Sequence, residues 1–166
     1  MISLKRILVP IDFSETSEAA LKYGVELAGT FGATLHLLHV VTEPVHETWV
    51  SYAPPTAFLG IVERFKTHAQ ECLERLVPPR ELASGRAVVA TVCGDPIDQI
   101  LKYARDNNTD LIVCGTHGRR GWAHVTMGSV AENVVRRAPC PVLTVHHPEH
   151  EFIVPDRTLE AVRATA

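Results

Sequence analysis

The segment ILVPIDFSETSEAALKYGVELAGTFG, residues 7–32, joins a short apolar run to an amphipathic one through a polar turn. Residues 7–11 have the length and composition of a buried β-strand, and Ser14 fits the N-cap of a helix over residues 15–31. Gly32 fits the residue that ends this helix. The predicted apolar face of the helix consists of Ala20, Tyr23, Gly24, Leu27 and Phe31. This segment therefore predicts a strand–turn–helix unit.

The same alternation of apolar runs and amphipathic segments continues along the chain. Further strands are predicted over residues 34–41, 86–93, 111–114 and 142–145, and further helices over residues 58–77, 96–107 and 129–138. Strands that alternate with helices are joined by right-handed crossovers and form a parallel sheet. Because the strands are apolar on both faces, helices must cover both sides. The sequence predicts the α/β class, with a single doubly wound sheet.

Turn residues mark the boundaries of the later helices. The Pro78-Pro79 pair predicts the end of the second helix. The sequence Gly94-Asp95-Pro96 fits a turn, an N-cap and a first helical residue, in the order that helix capping favours. The sequence Ser129-Val130-Ala131-Glu132 matches the S-x-x-E capping box, which predicts Ser129 as the N-cap of the last helix.

Composition and charge restrict the class of protein. The chain has 166 residues, 46% of them hydrophobic and 21% charged, which suits one globular domain. Its net charge of −3 argues against nucleic acid or an anionic membrane as the main partner. The sequence shows no signal peptide before the first strand and no apolar run near the ~20 residues of a membrane span. The expected compartment is the cytoplasm.

Cysteines and histidines are not predicted to form a metal or catalytic site. Cys72, Cys93, Cys114 and Cys140 are widely spaced without a C-x-x-C pair, and we expect them to be reduced and buried. His36 and His39 are expected on one face of the second strand, as core or dimer-edge residues. His146, His147 and His150 are expected to be surface residues, because a metal site needs converging ligands.

The loop over residues 115–129, GTHGRRGWAHVTMGS, follows the fourth strand and precedes the last helix. Its glycines allow close approach of the backbone to a ligand, and its two arginines offer donors suited to phosphate oxygens. Free amides at the start of the helix also favour an anion. Ligands of doubly wound sheets bind at the carboxyl ends of the strands, where the strand order reverses. If the first and fourth strands are neighbours, this crevice lies between Asp12 and Gly115.

Two interpretations of the loop remain open at this point, a phosphate site and a surface loop with turn glycines and solvated arginines. The sequence contains no G-x-x-x-x-G-K-[ST] motif, so a P-loop NTPase is excluded. It has no G-x-G-x-x-G after the first strand and no G-x-S-x-G elbow, which argues against a dinucleotide-binding Rossmann site and an α/β-hydrolase.

The loop resembles the G-x2-G-x9-G-[ST] motif of the universal stress protein family at Gly115, Gly118, Gly128 and Ser129. The opening at residues 7–14, the segment Leu37-Leu38-His39-Val40-Val41, Gly94-Asp95-Pro96 and Pro139-Cys140-Pro141-Val142 are also similar to that family. The resemblance covers about residues 5–146 and implies a domain over residues 1–147, with a C-terminal extension over residues 148–166.

The resemblance implies a five-stranded sheet of order 3-2-1-4-5, the adenine nucleotide alpha-hydrolase-like fold. It also implies a homodimer paired through Val142–Val145 and a site for ATP or AMP. Asp12 would then hold the ribose hydroxyls, and Pro10, Ile11 and the Val40 backbone would border adenine. The residues implied at the phosphates are Gly115, Thr116, His117, Gly118, Arg119, Gly128, Ser129 and Val130. Mg²⁺ is the ion that a bound triphosphate would favour.

Some of these residues have simpler alternative roles. Asp12 also fits a cap of the first helix, and Val40 fits a core residue whose backbone alone is polar. No catalytic constellation is visible in the sequence. We therefore expect a nucleotide-binding regulatory homodimer of the stress response, with at most slow ATP hydrolysis. The alternatives are an ATP hydrolase or phosphotransferase, and a nucleotide-free interaction module.

Overall fold

A computed structural model of the protein describes residues 2–42, 55–116 and 127–146, with the backbone alone for residues 55–59 and 61. Its elements in chain order are β1 (Arg6–Pro10), α1 (Glu15–Phe31), β2 (Thr34–Val41), α2 (Pro55–Arg75), α3 (Pro79–Ala83), β3 (Ala87–Cys93), α4 (Pro96–Asp106), β4 (Leu111–Gly115), α5 (Ser129–Arg137) and β5 (Val142–Val145). The five predicted strands are confirmed, with boundaries that differ by at most one residue.

The strands form one parallel sheet in the order β3-β2-β1-β4-β5, with β1 at its centre. Ile7 lies opposite Leu35 of β2 on one side and Leu111 of β4 on the other. The parallel sheet and the order 3-2-1-4-5 are confirmed. The chain builds outward from β1 to β3 and then crosses over to β4. The strand order therefore reverses between β1 and β4, and their carboxyl ends border the crevice where ligands of such sheets bind.

Helices cover both faces of the sheet, and the side chains of β1 alternate between two apolar layers. Ile7 and Val9 belong to the layer formed with α1 and α2, whereas Leu8 belongs to the layer formed with α4 and α5. All three side chains are fully buried. A central strand without solvent exposure on either face gives the site a rigid support, because buried apolar side chains contribute about 1.5–3 kcal/mol each.

The predicted bounds of α1 are confirmed at both ends. The Ser14 hydroxyl accepts a hydrogen bond from the Ser17 amide at 3.2 Å, and Gly32 ends the helix in the left-handed region at φ 63°. The predicted apolar face is wrong at Phe31, which is 38% exposed. Phe31 is the last residue of the helix, and the chain turns away at the following glycine.

The second predicted helix, over residues 58–77, corresponds to α2, and a short helix that was not predicted, α3, follows it. Helix α2 begins at Pro55 and ends at Arg75, because the Leu76 and Val77 amides form tighter bonds to the carbonyls three residues before them. Pro79 was predicted to end the second helix, but it is the first residue of the short α3. Proline suits this position because its missing N–H has no partner in the first turn of a helix.

The start of α4 confirms the predicted capping sequence, whereas the start of α5 does not. The Asp95 side chain accepts hydrogen bonds from the Ile97 and Asp98 amides at 2.9 and 3.0 Å. In α5 the N-cap is Gly128 and Ser129 is already helical, so the predicted capping box is wrong. The Gly128 carbonyl accepts the Glu132 amide, so Gly128 and not Ser129 is the residue that caps the helix, while the predicted first residue of the range, 129, is confirmed. The Glu132 carboxylate instead pairs with Arg136 at 3.1 Å.

His36 and His39 lie on opposite faces of β2, contrary to the prediction. Their spacing of three residues is odd, and side chains of a strand alternate between faces with a period of two. The Nδ1 atom of His36 lies 2.9 Å from the Tyr103 hydroxyl of α4. Burial, and secondly the positive charge of Arg6, lower the pKa of His36. The ring is therefore a neutral hydrogen-bonding group of the core.

The four cysteines form no disulfide, as predicted. Cys114 is buried, and burial raises the pKa of its thiol to about 11. Such a thiol stays protonated at neutral pH and is a poor nucleophile. The prediction of full burial is wrong for Cys72, Cys93 and Cys140, which are only half-buried.

Gly24 of α1 allows this helix to lie directly on the sheet. A Cβ atom at this position would lie 2.5 Å from Cγ2 of Val9 and 3.3 Å from Cδ1 of Leu35. We expect Gly24→Ala to lower the free energy of unfolding by about 1–3 kcal/mol, because the added methyl forces the helix away from the strand. Urea denaturation of the two proteins measures this difference.

Gly29 of the same helix provides the matched control. A Cβ atom at Gly29 would have no neighbour within 4 Å. Gly29→Ala should raise the free energy of unfolding by up to about 1 kcal/mol, through helix propensity alone. If both variants changed stability in the same direction, the packing role of Gly24 would be refuted.

Candidate functional site

The first residues after β1, beginning with Ile11, border the crevice between β1 and β4. The Ile11 amide donates to the Leu38 carbonyl at 2.8 Å, and the Ile11 carbonyl accepts from Nδ1 of His39 at 2.7 Å. A carbonyl only accepts, so the His39 proton resides on Nδ1. The Ile11 side chain is 3% exposed and lies in the core. Both backbone groups and the side chain of this residue are thus fixed.

Phe13 turns the chain from the strand into the helix in an unfavourable conformation. Its φ of 62° lies in the left-handed region, which costs a residue with a Cβ about 1–2 kcal/mol. Its ring packs against the His39 ring, with centroids 4.7 Å apart and planes at 42°. His39 therefore supports the turn twice, through the Ile11 carbonyl and through the Phe13 ring. The sequence pattern alone did not identify either residue as part of the site.

Asp12, which stands between Ile11 and Phe13 in the chain, is half-buried. Its Oδ1 atom accepts hydrogen bonds from the Ser14 amide at 3.1 Å and from the Ser14 hydroxyl at 2.6 Å. The alternative role of Asp12 as the cap of α1 is wrong, because Ser14 occupies that position. Asp12 orients the cap instead, and its carboxylate stands beside the positive end of the helix dipole. An ionised carboxylate acts only as an acceptor, so it suits a ligand that presents hydroxyl groups.

The backbone of Val40 faces the crevice. In a parallel ladder the backbone groups of alternate residues point to opposite neighbouring strands. The Leu38 carbonyl points to β1, where it accepts the Ile11 amide. By the same alternation, the Val40 amide and carbonyl point to the β1 side, beyond Pro10, the last residue of that strand. The Val40 side chain is half-buried against the layer of α4 and α5, as expected for a core residue.

Gly115 brings the end of β4 against the first turn of α1. A Cβ atom here would lie 2.9 Å from Cγ2 of Thr16 and 3.0 Å from the Thr16 carbonyl carbon and oxygen. Glycine was expected here for a sharp turn or a close approach to a ligand. The structure instead shows a close approach to the helix. The contact places the ends of β1 and β4 side by side, with the start of α1 between them.

The loop over residues 115–129, called the glycine loop from here on, follows β4, and the structure describes its two ends, at residues 115–116 and 127–129. The Thr116 amide donates to the Val145 carbonyl at 2.8 Å, and its carbonyl accepts the Gly128 amide at 2.6 Å. The two ends of the loop are therefore in direct contact. His117, Gly118 and Arg119, which the sequence assigns to the phosphates, lie outside the described residues. Ser129 and Val130 are exposed in the first turn of α5, where helix amides have no partner within the helix.

No group of three or more potential metal ligands is present among residues 2–42, 55–116 and 127–146. No helix in this part of the chain is long and apolar enough to cross a membrane.

A parallel sheet of order 3-2-1-4-5 with helices on both faces is that of the adenine nucleotide alpha-hydrolase-like class of α/β protein. The chain belongs to the Universal stress protein family, whose family model matches residues 3–146. Universal stress protein MJ0531 of Methanocaldococcus jannaschii is 32% identical over 147 residues, which cover 89% of this chain and 85% of that protein.

Solved structures show the same architecture. The structure of MJ0577 from the same organism matches with a TM-score of 0.74 and 29% identity, over 90% of this chain and the whole of that one. A universal stress protein in complex with cAMP matches with a TM-score of 0.57 and 26% identity, over 87% of this chain and 98% of that chain.

The hydrogen bond from His39 to Ile11 can be tested by changing its donor. His39→Phe keeps an aromatic ring but leaves the buried carbonyl unpaired, so we expect the free energy of unfolding to fall by about 1–3 kcal/mol. His39→Asn keeps a donor near the position of Nδ1 and should cost less than half as much. Urea denaturation distinguishes the two. Equal losses would show that the donor does not support the turn.

Proposed function

We propose that the protein binds an adenine nucleotide, ATP or AMP, in the crevice between β1 and β4. The observation that carries this proposal is the Gly115–Thr16 contact, which holds the start of the glycine loop against the first turn of α1, the helix that Asp12 precedes. The Asp12 carboxylate would accept hydrogen bonds from hydroxyls on one side of this helix start, and the glycine loop would bind an anion on the other. The cAMP complex of a related structure supports an adenine nucleotide as the ligand.

The ribose and the base would lie on the β1 side of the crevice. Asp12 would accept hydrogen bonds from the ribose hydroxyls, and the Val40 amide and carbonyl would bind the edge of adenine. Pro10 offers a half-buried apolar ring at the end of β1 and has no N–H of its own. Ile11 would contribute through the backbone position that His39 fixes, since its side chain is in the core.

The phosphates would lie between the glycine loop and the start of α5. The first-turn amides of this helix and its dipole favour an anion, and the exposed Ser129 hydroxyl can donate to a phosphate oxygen. The full proposed set is Gly115, Thr116, His117, Gly118, Arg119, Gly128, Ser129 and Val130. If ATP is bound, Mg²⁺ would be held by phosphate oxygens and water, because the described residues supply no ligand cluster of their own.

A regulatory role fits this site better than rapid catalysis. Hydrolysis requires a base or a metal that positions water. Asp12 already accepts two hydrogen bonds from Ser14 and would be occupied by the ribose. We therefore propose a cytoplasmic nucleotide-binding protein of the stress response, with slow ATP hydrolysis at most.

The nucleotide site is tested by thermal unfolding with ATP, AMP or GTP, each with and without Mg²⁺. An adenine nucleotide at about 100 times its dissociation constant should stabilise the protein by about 2.7 kcal/mol, or a few degrees in Tm. Asp12→Asn keeps an acceptor for Ser14 but loses the charge, and should weaken binding by about ten- to a hundredfold. Gly118→Val should abolish binding without unfolding the protein.

Asp106→Asn is the control for a lost carboxylate, because Asp106 lies exposed on α4 in an ion pair with Lys102. It should bind as the wild type does. No shift in Tm, together with no nucleotide released by acid extraction, would contradict the proposal and favour a nucleotide-free interaction module. Multiple turnover of ATP that is lost in His117→Ala would favour an enzyme.

We also propose that the protein forms a homodimer through β5. Within the described residues, β5 is an edge strand paired only with β4. The Pro141 and Val145 carbonyls point to β4, so the backbone groups of Val142 and Thr144 point outward by alternation. An edge with unpaired backbone groups and β-branched side chains is suited to pairing with a second copy of the chain.

Thr144→Pro tests this edge, because it removes an outward amide without removing a bond to β4. We expect a dimer for the wild type in sedimentation equilibrium and a dissociation constant raised at least tenfold for the variant. Val88→Pro on the opposite edge strand, β3, is unsuitable as a control because Val88 is paired with His36. Val88→Lys, which alters only an exposed side chain, should remain dimeric. A monomeric wild type would refute the dimer.

A further inference from the structure

Thr116 connects three parts of the molecule at the end of β4. Its amide is bonded to Val145 of β5, and its carbonyl accepts the amide of Gly128, the N-cap of α5. Its hydroxyl lies 2.9 Å from Nδ1 of His146, the residue that follows β5. Thr116 is 9% exposed, whereas His146 is exposed, so the Thr116 groups are the buried side of these bonds and need their partners.

Thr116 forms bonds through its amide and its hydroxyl as well as through the carbonyl that accepts the Gly128 amide. The main-chain bond to Val145 fixes the amide side of Thr116, and the bond to His146 fixes its side chain against the same strand. The first partner is the last residue of β5 and the second is the residue that follows it, whereas the Thr116 carbonyl points to Gly128, the N-cap of α5. Thr116 thereby connects the start of α5, through Gly128, to the end of β5, through Val145 and His146.

We propose that Thr116 and His146 are a pair of positioning residues that holds the two ends of the glycine loop in register with β5. The consequence for binding rests on the nucleotide site proposed above, since the Gly128 end of the loop carries the first-turn amides of α5. This role is separate from a phosphate contact of the Thr116 backbone, and neither side chain would touch the nucleotide. The pair would act by keeping the Gly128 amide on the Thr116 carbonyl, so that the adjoining amides are already placed when a phosphate arrives.

Two measurements test the pair. The first is hydrogen exchange of the Gly128 amide by NMR in nucleotide-free protein, and the second is the dissociation constant for ATP by calorimetry. Thr116→Val and His146→Ala should each speed the exchange about fivefold and weaken ATP binding about fivefold, the effect of one ordinary hydrogen bond. Thr116→Ser keeps the hydroxyl and should restore both values to within about twofold of the wild type.

A double-mutant cycle separates a pair from two independent structural residues. If the two side chains act only through each other, the Thr116→Val, His146→Ala double variant should lose about fivefold in ATP affinity, like each single variant. Independent effects would multiply to about twenty-fivefold and would overturn the proposal.

Thr109→Val is the matched control. Thr109 is also buried, stands just before β4 at its opposite end, and its hydroxyl has no hydrogen-bond partner among the described residues. This variant should leave both the Gly128 exchange and the ATP affinity unchanged. If it reproduced the Thr116→Val effects, loss of any buried threonine hydroxyl would explain them and the positioning role would be refuted.

The two measurements also distinguish this proposal from the nucleotide site itself. If the exchange pattern is found but the wild type binds no adenine nucleotide, the proposed function fails and the positioning of the loop ends stands. If Gly128 exchange is the same in the wild type and Thr116→Val, the positioning role is refuted whether or not ATP binds.

Discussion

Helix α1 lies against the sheet at two positions where a Cβ atom is missing, and the geometry of the site depends on this close approach. At Gly24 the helix meets Val9 of the central strand, and at Gly115 the end of β4 meets the first turn of the helix at Thr16. The first contact sets the height of the helix above β1. The second sets how close β4 comes to its amino end. Together they hold the ends of β1 and β4 close to the start of α1, so Asp12 and Gly115, about a hundred residues apart in sequence, both lie next to that helix start.

The two sides of this crevice are held by different means. On the β1 side, Phe13 keeps a left-handed conformation because its ring and the preceding carbonyl both contact His39. Strain of this kind persists only where surrounding contacts determine the backbone, and such positions are concentrated at binding sites. On the β4 side, hydrogen bonds at Thr116 hold the loop ends without strain. The β1 side of the crevice is thus fixed by packing and a buried hydrogen bond, whereas its β4 side is held by a few hydrogen bonds, each of modest net strength.

Local chemistry in the sequence was enough to predict most of the fold. Ser14, Gly32 and Asp95 act within four residues of themselves, and their roles as helix ends were predicted correctly. Ser129 was predicted wrongly because the start of α5 depends on the bond between Gly128 and Thr116, which no short pattern contains. The contacts of His39 with Ile11 and of Thr116 with His146 span 28 and 30 residues. Only the strand order makes them neighbours. The error at His36 and His39 was avoidable, since strand periodicity alone places them on opposite faces.

The contact that closes the glycine loop uses only main-chain atoms, the Gly128 amide and the Thr116 carbonyl. Neither bonding atom belongs to a side chain of residues 117–127, so substitutions there leave the donor and the acceptor in place. Side chains within the loop can therefore change in evolution without removing either atom of the contact that closes it.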